Sequence, residues 1–354
     1  MARIDALFDV LVEAAGSDLH LGIGYPPTLR LRGDLVAIRN EVILAPEMDA
    51  LLMEILTEEQ AAAFRQDLDL DFAYSYGDKA RFRANYFFKM TGLAAVFRMI
   101  PTRVLSLDEL RCPPSLRKLA DRRSGLVLVT GPTGSGKSTT LAAMIHHINE
   151  TRACHILTIE DPIEFVHAPR KAQVTHREIG THASSYVQAI HSAGREDPDV
   201  ILIGELRTNE TMKLALQLAS FGVLVFATVH TNSAAATIDR IVNAFAADEQ
   251  PQIRGMLGDS LAGIVAQQLL RSVDGKRRIA AHEVLVGSPA LASLIREGKT
   301  FQVPNLIQGG QGQGMQTLDM ALERLVRDHE ITPEAALEKA SDKESFAKAV
   351  RAQP

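Results

Sequence analysis

Apolar residues recur at helical spacing at the start of the chain. They run from Ile4 to Val12 at every third or fourth position, and Gly16 interrupts the pattern. Such spacing places the apolar side chains on one stripe of a helix, which buries that stripe against a core. The sequence therefore predicts a short amphipathic helix before the first strand.

The next stretch shows short alternating runs that are typical of strands. The dipeptide Gly77-Asp78 between two of these runs is a hairpin signal, and Pro46 begins a helical segment that ends at Leu56. Strands joined by tight turns pair antiparallel, so this region is predicted to form a small domain with a mixed or antiparallel sheet. The predicted strands cover residues 19–23, 28–32, 35–38, 68–76, 81–88 and 94–100.

Pro101, Pro113 and Pro114 precede a change in pattern. Beyond them, runs too short for a helix and apolar on both faces alternate with longer helical segments, as in an α/β domain with a mainly parallel sheet. We predict an α/β protein with one domain at residues 1–113 and a second at 114–354. The region after Asp239 is predicted to be largely helical, with a final helix beginning at Thr332. The apolar runs cover residues 126–130, 156–159, 200–203 and 224–229.

Composition narrows the functional classes. Hydrophobic residues make up 46% and charged residues 23% of the chain, which is typical of a soluble globular protein, and the net charge of -5 gives no electrostatic reason to expect a nucleic-acid partner. Cys112 and Cys154 are distant in sequence and indicate neither a disulfide framework nor a zinc site. No apolar run approaches the roughly 18 residues that span a bilayer, so we expect a cytoplasmic protein.

The strongest chemical signal is a phosphate-binding loop. The sequence GPTGSGKS at 131–138 follows a predicted strand and precedes a predicted helix, which is the context that a P-loop requires. Its backbone N–H groups would surround the phosphates of ATP, Lys137 would contact the β- and γ-phosphates, and the Ser138 hydroxyl would ligate Mg²⁺. The predicted nucleotide-binding residues are Gly131, Pro132, Thr133, Gly134, Ser135, Gly136, Lys137, Ser138 and Thr139.

Acidic and imidazole side chains follow the other three predicted parallel strands. Ligands bind beyond the carboxyl ends of such strands, so these side chains are expected to face the phosphate site. Glu205 is predicted to hold Mg²⁺ through water. Glu160 and Glu164 compete for the role of general base, and spacing does not choose between them. His230 is either a γ-phosphate sensor or a structural residue bonded to the backbone.

Three arginines lie on predicted strands of the first domain. Arg81 and Arg83 share a strand face, and Arg98 belongs to the next strand. A solvated strand face is the simplest interpretation. The alternative is that these guanidinium groups cross a subunit boundary to stabilise charge on the γ-phosphate, which requires a ring of cyclic symmetry.

These residues together resemble the secretion-type ATPases of type IV pili, and in particular the pilus-retraction motors. The resemblance extends nearly end to end, and several of the shared strings are specific to that family rather than to P-loop proteins in general. The matching strings lie at residues 17–21, 81–83, 131–144, 158–167, 197–205, 227–235, 238–241 and 314–319.

The resemblance implies a PAS-like N-terminal domain, a RecA-like ATPase domain and a homo-hexamer that uses ATP and Mg²⁺ to power pilus retraction and twitching motility. It implies that Glu164 is the general base, Glu205 the Walker B acid and His230 the histidine-box residue, and it assigns the three arginines to the arginine-finger region. It also implies an inner-membrane pilus platform protein and paralogous pilus ATPases as partners, at the inner face of the membrane.

Two other functions fit parts of the sequence. One is an accessory or regulatory paralogue of the motor that binds nucleotide with little hydrolysis of its own. The other is a nucleic-acid translocase, which shares the ATPase core but has no support in the charge balance. Steady-state turnover separates the first alternative from a motor, and salt-sensitive binding to single-stranded DNA identifies the second.

Overall fold

The structure is a computed structural model that describes residues 2–31, 33–77, 79–100 and 103–351, except the side chains at 350 and 351. Arg32, Asp78 and Pro101, predicted at a strand end, in a turn and at a boundary, lie outside the described residues. Contacts divide the chain into two compact units. Residues 104–113 group with the second unit, and the assignment of domains remains a prediction. The first unit contains Met1–Arg103 and Pro162–Phe165, and the second contains Val104–Asp161 and Val166–Pro354.

The first unit contains a six-stranded sheet in the order β3-β2-β1-β6-β5-β4, and every neighbouring pair is antiparallel. The predicted antiparallel sheet is therefore confirmed. The prediction missed α3, although the capping box formed by Thr57 and Gln60 at its start is a recognisable signal. The elements are α1 Asp5–Glu13, β1 Asp18–Gly22, β2 Thr28–Leu31, β3 Asp34–Ala37, α2 Ala45–Met53, α3 Glu58–Asp67, β4 Asp69–Tyr76, β5 Ala80–Lys89 and β6 Gly92–Ile100.

One face of this sheet packs on the helices, and α1 supplies the central contact. Phe8 of α1 is fully buried, stacks on Phe82 of β5 at 4.3 Å between ring centroids and meets the edge of Phe97 of β6 at 5.0 Å. These rings form the apolar face because alternate residues of a strand point to opposite sides. The polar residues between them, such as Arg83 and Arg98, therefore lie on the other face.

The second unit contains a seven-stranded sheet in the order β13-β12-β7-β11-β10-β8-β9, in which β13 alone is antiparallel to its neighbour. All four predicted central strands are present and parallel, as β7, β8, β10 and β11. The elements are α4 Pro114–Ala120, β7 Gly125–Thr130, α5 Lys137–Thr151, β8 His155–Glu160, β9 Gln173–Glu178, α6 Tyr186–Ala193, β10 Val200–Ile203, α7 Asn209–Ser220, β11 Leu224–Val229, α8 Ala234–Val242, α9 Gln250–Ser260, β12 Leu261–Arg271, β13 Arg278–Val286, α10 Pro289–Arg296, α11 Val303–Gly309, α12 Leu318–Arg327, α13 Pro333–Lys339 and α14 Lys343–Arg351, with short 3₁₀ helices at Thr300–Gln302 and Gln311–Gln313.

Both faces of the second sheet are covered. Leu126 and Leu128 of β7 join one buried apolar cluster, whereas Val127 and Val129 join another on the opposite face. This burial on both sides explains why the central strands are apolar at every position. Among the described residues, no helix is long and apolar enough to cross a membrane.

The prediction of a largely helical region after Asp239 was wrong for two strands. β12 and β13 pair antiparallel, and β12 also pairs parallel with β7. The β12 sequence contains Leu, Ala and Gln, which favour helices in isolation. Gly263 permits the close pairing, since an added Cβ would lie 2.9 Å from the Leu285 carbonyl oxygen. Tertiary pairing therefore overrides local preference, and the polar edge strand β9 was missed for the same reason.

Candidate active site

The P-loop connects β7 to α5, as the sequence predicts. Gly131 has φ +145, and a Cβ there would lie 2.3 Å from the Gln267 carbonyl oxygen, so the position requires glycine. Gly136 has φ +86 and directly precedes α5. The loop therefore bends sharply and ends at a helix N-terminus, where backbone N–H groups favour an anion.

Lys137 is buried within this loop. Its Nζ donates to the Gly131 carbonyl at 2.9 Å and to the Pro132 carbonyl at 3.1 Å. Burial lowers the pKa of Lys137, and the Glu205 carboxylate acts in the opposite direction. The electrostatic interaction with Glu205 shows that the ends of β7 and β10 bring the lysine and the acid near each other.

The hydroxyls of the loop have different surroundings. Ser138 is exposed, as are Pro132, Thr133 and Gly134, whereas Ser135 is buried. The Ser135 Oγ has no hydrogen-bond partner among the described residues. A buried hydroxyl without a partner is costly, so this atom fits a loop that binds a polar ligand. The exposed Ser138 hydroxyl is accessible to a ligand or cation.

Gln267 of β12 forms hydrogen bonds that hold the loop in place, and no sequence motif predicted this role. Its amide Nε2 donates to the Ser135 carbonyl at 2.6 Å, and its Oε1 accepts from the Thr140 hydroxyl at 2.7 Å. Gln267 is almost fully buried, so both bonds are shielded from water. No local signal identifies this residue, because its partners lie more than 120 residues earlier in the chain.

Glu205 and His230 form a pair at the ends of β10 and β11. His230 Nε2 lies 3.1 Å from Glu205 Oε1, and Arg207 Nη2 lies 2.8 Å from Glu205 Oε2. Partial burial raises the pKa of Glu205, but the bonds to Arg207 and His230 outweigh it and leave the pKa below its usual value. The carboxylate is therefore ionised at neutral pH and keeps 21% of its side chain exposed.

Glu160 ends β8 and is buried in the same unit. Tyr186 of α6 lies nearby: an added Cβ on Gly204 would be 3.0 Å from the Tyr186 hydroxyl and 3.5 Å from the Glu160 Cα. Burial raises the pKa of Tyr186, and Asp161, Glu160 and Glu205 add to this effect. The tyrosine is thus a neutral hydroxyl among the acids of the site, and no sequence motif indicates it.

Glu164 belongs to the first unit by its contacts, together with Arg83 and Arg98. The residue is exposed, yet surrounding protein atoms raise the pKa of its carboxyl through desolvation, and the two arginines act in the opposite direction. The predicted base and two of the predicted finger arginines therefore lie within electrostatic reach of one another in a single chain. Sequence spacing did not indicate this grouping.

The arginines belong to a charged row across the first sheet. Register aligns Arg30 with Asp18, Asp18 with Arg98, and Arg98 with Arg83 on four neighbouring strands. Arg98 Nε donates to Asp18 Oδ1 at 2.8 Å, and Arg83 Nη2 lies 3.8 Å from Asp71 Oδ2. Arg81 lies two residues before Arg83 on β5 and shares its face.

A cavity of about 710 Å³ adjoins the P-loop within the second unit. Gly136 and Thr139 of the loop and helix line it, together with the apolar residues Leu110 and Leu269. His282, whose Nε2 is buried without a hydrogen-bond partner among the described residues, also lines it. Its size and mixed lining are typical of a small-molecule site.

The comparisons with known proteins agree with this geometry. Residues 31–329 match the family described as "Type II/IV secretion system protein". The chain belongs to the type II/IV secretion system protein family. Within this family, the chain is 49% identical over 320 residues to a twitching motility protein of Neisseria gonorrhoeae, an alignment that covers 90% of this chain and 86% of that protein.

Two further relatives align with nearly the whole chain. The type IV pilus retraction ATPase PilT of Pseudomonas aeruginosa is 46% identical over 97% of this chain and 99% of its own length. A crystal structure of the pilus retraction motor PilT with bound ADP superposes with a TM-score of 0.90 at 38% identity, covering 98% of this chain and 99% of that one. The similarity confirms the predicted family and the α/β fold class.

Proposed function

We propose that this chain is an ATPase that works as a homo-hexamer and powers the retraction of type IV pili, and thereby twitching motility. The observation that carries the proposal is the cluster of Lys137, Glu205 and His230 at the carboxyl ends of three neighbouring strands. A loop that only binds nucleotide needs the lysine, whereas turnover also needs groups that respond to the γ-phosphate. The names of the relatives support the pilus-retraction part of the proposal.

ATP would bind with its phosphates in the P-loop and its nucleoside in the adjoining cavity. The loop offers backbone N–H groups, the positive end of α5 and the buried Lys137 to the phosphates. The cavity includes Gly136 and Thr139, where the loop meets the helix, and its apolar residues Leu110 and Leu269 suit a purine ring. The bound ADP named for the PilT structure supports this assignment.

Mg²⁺ would be held by Ser138 and, through water, by Glu205. The fit rests on the exposed Ser138 hydroxyl and on a Glu205 carboxylate that is ionised and partly exposed, since Mg²⁺ prefers oxygen ligands and keeps several waters. When bound, the ion neutralises charge on the phosphate oxygens. The bond from Arg207 orients one Glu205 oxygen, and the His230 imidazole orients the other.

We assign the general base to Glu164 and retain Glu160 as the alternative. The desolvated carboxyl of Glu164 has a raised pKa, which favours proton transfer near neutral pH. Glu160 is buried directly at the end of β8, which favours a structural role for it. The guanidinium groups of Arg81, Arg83 and Arg98 would stabilise charge at the γ-phosphate of a neighbouring subunit in the ring.

The motor would act on an inner-membrane pilus platform protein at the cytoplasmic face of the membrane, with paralogous pilus ATPases as further partners. Two experiments test the proposal. Purified protein should hydrolyse ATP with Mg²⁺ and lose this activity in Glu205→Gln, whereas tight ATP binding without turnover would favour an accessory paralogue. Deletion of the gene in a piliated host should leave surface fibres that accumulate and no longer shorten, and loss of fibres would contradict retraction.

A further inference from the structure

Threonine hydroxyls join the root of the P-loop to the loop that carries His230. Thr130 directly precedes Gly131, and Thr231 directly follows His230. The Thr130 hydroxyl accepts from the Thr231 amide at 2.9 Å and lies 2.5 Å from the Thr231 carbonyl oxygen. Two segments 101 residues apart in sequence are therefore joined by bonds to both main-chain groups of one residue.

The connection continues into α8. The Thr231 hydroxyl lies 2.6 Å from the Thr130 hydroxyl and 2.6 Å from the Thr237 hydroxyl. Thr237 then donates to the Ser233 carbonyl at 2.7 Å. One consistent assignment has Thr130 donating to the Thr231 carbonyl, Thr231 to the Thr237 hydroxyl, and Thr237 to the Ser233 carbonyl, since each hydroxyl has one hydrogen. Thr130 and Thr237 are fully buried, so these bonds do not compete with water.

His230 is consequently fixed on both sides along the chain. Before it, the Thr228 hydroxyl donates to the Gly204 carbonyl at 2.5 Å, which joins the end of β11 to the residue preceding Glu205. After it, Thr231 is held to the end of β7 by Thr130. The 3.1 Å contact between His230 and Glu205 thus lies between two anchored points of the backbone.

We infer that Thr130 and Thr231 are positioning residues that hold His230 and Glu205 in register with the P-loop. A displacement of the P-loop root by the γ-phosphate would then reach the imidazole and carboxylate through these hydrogen bonds. The inference rests on the proposed ATPase function, because positioning matters most for groups that act on the γ-phosphate. A misplacement of about 1 Å in such a group can cost a hundredfold in rate.

The test uses Thr231→Val in the full-length protein, because this variant keeps the Thr130 bonds to the main chain of residue 231. We expect kcat to fall about tenfold while KM changes less than about twofold, and Thr231→Ser to restore turnover because it retains the hydroxyl. Thr175→Val is the matched control. Thr175 is also partly buried, and its hydroxyl binds the ring of His155 at 2.9 Å on the edge strand β9.

A double-mutant cycle separates positioning from simple stabilisation. If Thr231 acts through His230, then Thr231→Val should lower kcat by less than about twofold in a His230→Ala background. A further tenfold loss in that background, or an unchanged kcat in the single variant, would overturn the inference. Thr130→Val also removes the acceptor of the Thr231 amide. It should lower kcat at least as much as Thr231→Val does, and its effect should likewise be small in the His230→Ala background.

A nucleotide-binding measurement keeps this inference distinct from the proposed function. The ratio of the dissociation constants for ADP and ATPγS reports how the site senses the γ-phosphate without any turnover. Thr231→Val should change this ratio severalfold, whereas Thr175→Val should not. Wild-type protein without turnover would refute the proposed function alone, and an unchanged ratio in Thr231→Val would refute the inference alone.

Discussion

The two charged sites of the molecule are built by different means. In the second unit, Lys137, Glu205 and His230 each follow the carboxyl end of a short buried strand, and the parallel order of the strands brings them together. In the first unit, Arg83 and Arg98 meet because antiparallel register aligns them across two strands. Local sequence motifs therefore predict the site in the second unit, whereas the arrangement of the arginines depends on which residues pair across the strands.

The two sites also differ in burial: the phosphate site contains a buried charge, whereas the arginines form a row of exposed charges. Lys137 is buried and bonds to two carbonyls of its own loop, so its removal leaves a hole in the phosphate site. Arg98 has 70% of its side chain exposed and bonds to Asp18, so it can exchange partners at little cost. Variants should therefore differ in severity between the two units.

The largest effect is expected for Lys137→Ala, which should lower ATP turnover about a thousandfold because the variant loses the buried cation that bonds within the loop. Steady-state phosphate release measures it. Lys213→Ala serves as the control, since Lys213 lies on α7 in an exposed pair with Glu249 at 3.2 Å. Turnover of Lys137→Ala within about twofold of wild type would contradict the role of the P-loop.

Glu164→Gln should lower kcat about a hundredfold while ADP affinity stays unchanged, because an amide cannot accept the proton of the attacking water. Single-turnover kinetics and ADP titration measure the two quantities. Glu160→Gln is the matched amide variant at the competing position. A larger loss in Glu160→Gln than in Glu164→Gln would transfer the base to Glu160.

Arg98→Ala should lower turnover about tenfold, since a guanidinium that only stabilises transition-state charge contributes less than the lysine of the loop. Arg30→Ala is the control, because Arg30 lies in the same row and approaches the same Asp18 at 3.9 Å. Mixing Arg98→Ala with Lys137→Ala subunits should recover part of the turnover if the arginine acts across a subunit boundary. No recovery would place its action within one subunit.

Gln267→Leu should weaken ADP binding severalfold, because the Ser135 carbonyl and the Thr140 hydroxyl both lose a partner. Titration calorimetry measures the affinity. Gln268→Leu changes the neighbouring residue of β12, whose side chain points to the opposite face of the sheet, and should bind ADP as wild type does. Equal losses in the two variants would show that any substitution in β12 disturbs the loop.

The smallest effect is a loss of stability of the second unit in mild acid. Burial lowers the pKa of His282 to about 4, and burial with nearby His176 and His146 lowers that of His167 to about 3. The unfolded chain therefore binds protons near pH 6.5 that the folded chain does not, so stability is complete above pH 6.5 and falls as the pH approaches 4. The free energy of unfolding changes by at most about 1.4 kcal/mol per pH unit for each histidine.

Urea unfolding between pH 7 and 5 measures this dependence. His282→Phe should reduce the slope, because the variant has no proton to bind in the unfolded state. His191→Gln, at an exposed position on α6, is the control. An identical slope in wild type and His282→Phe would show that other groups determine the response to acid.

The sequence permitted prediction wherever local pattern determines structure. The four apolar runs and the GPTGSGKS string predicted β7, β8, β10, β11 and the P-loop, because burial on both faces and a glycine-rich turn are local properties. Residues after the strands were therefore expected near the loop, and Glu205 and His230 do pair there. Their catalytic roles, and those of Glu160 and Glu164, remain predictions.

Long-range pairing explains what was missed. β12 and β13 were expected to be helical because their own residues permit a helix. Pairing of β12 with the distant strand β7 makes this region a pair of strands instead. Gln267 has no motif around it, so its bonds to Ser135 and Thr140 could not be foreseen. The alignment of Arg83 with Arg98 depends on the register set at the turn before β6, which the separate strand patterns do not specify.

The support that Gln267 gives to the P-loop has a consequence for biosynthesis. The ribosome adds Gln267, which holds the Ser135 carbonyl, 132 residues after it adds Ser135. At about 5 to 20 residues per second, this delay is roughly 7 to 26 seconds. A nascent chain that ends before β12 would carry an intact motif without its brace, so nucleotide should protect only longer translation products from proteolysis.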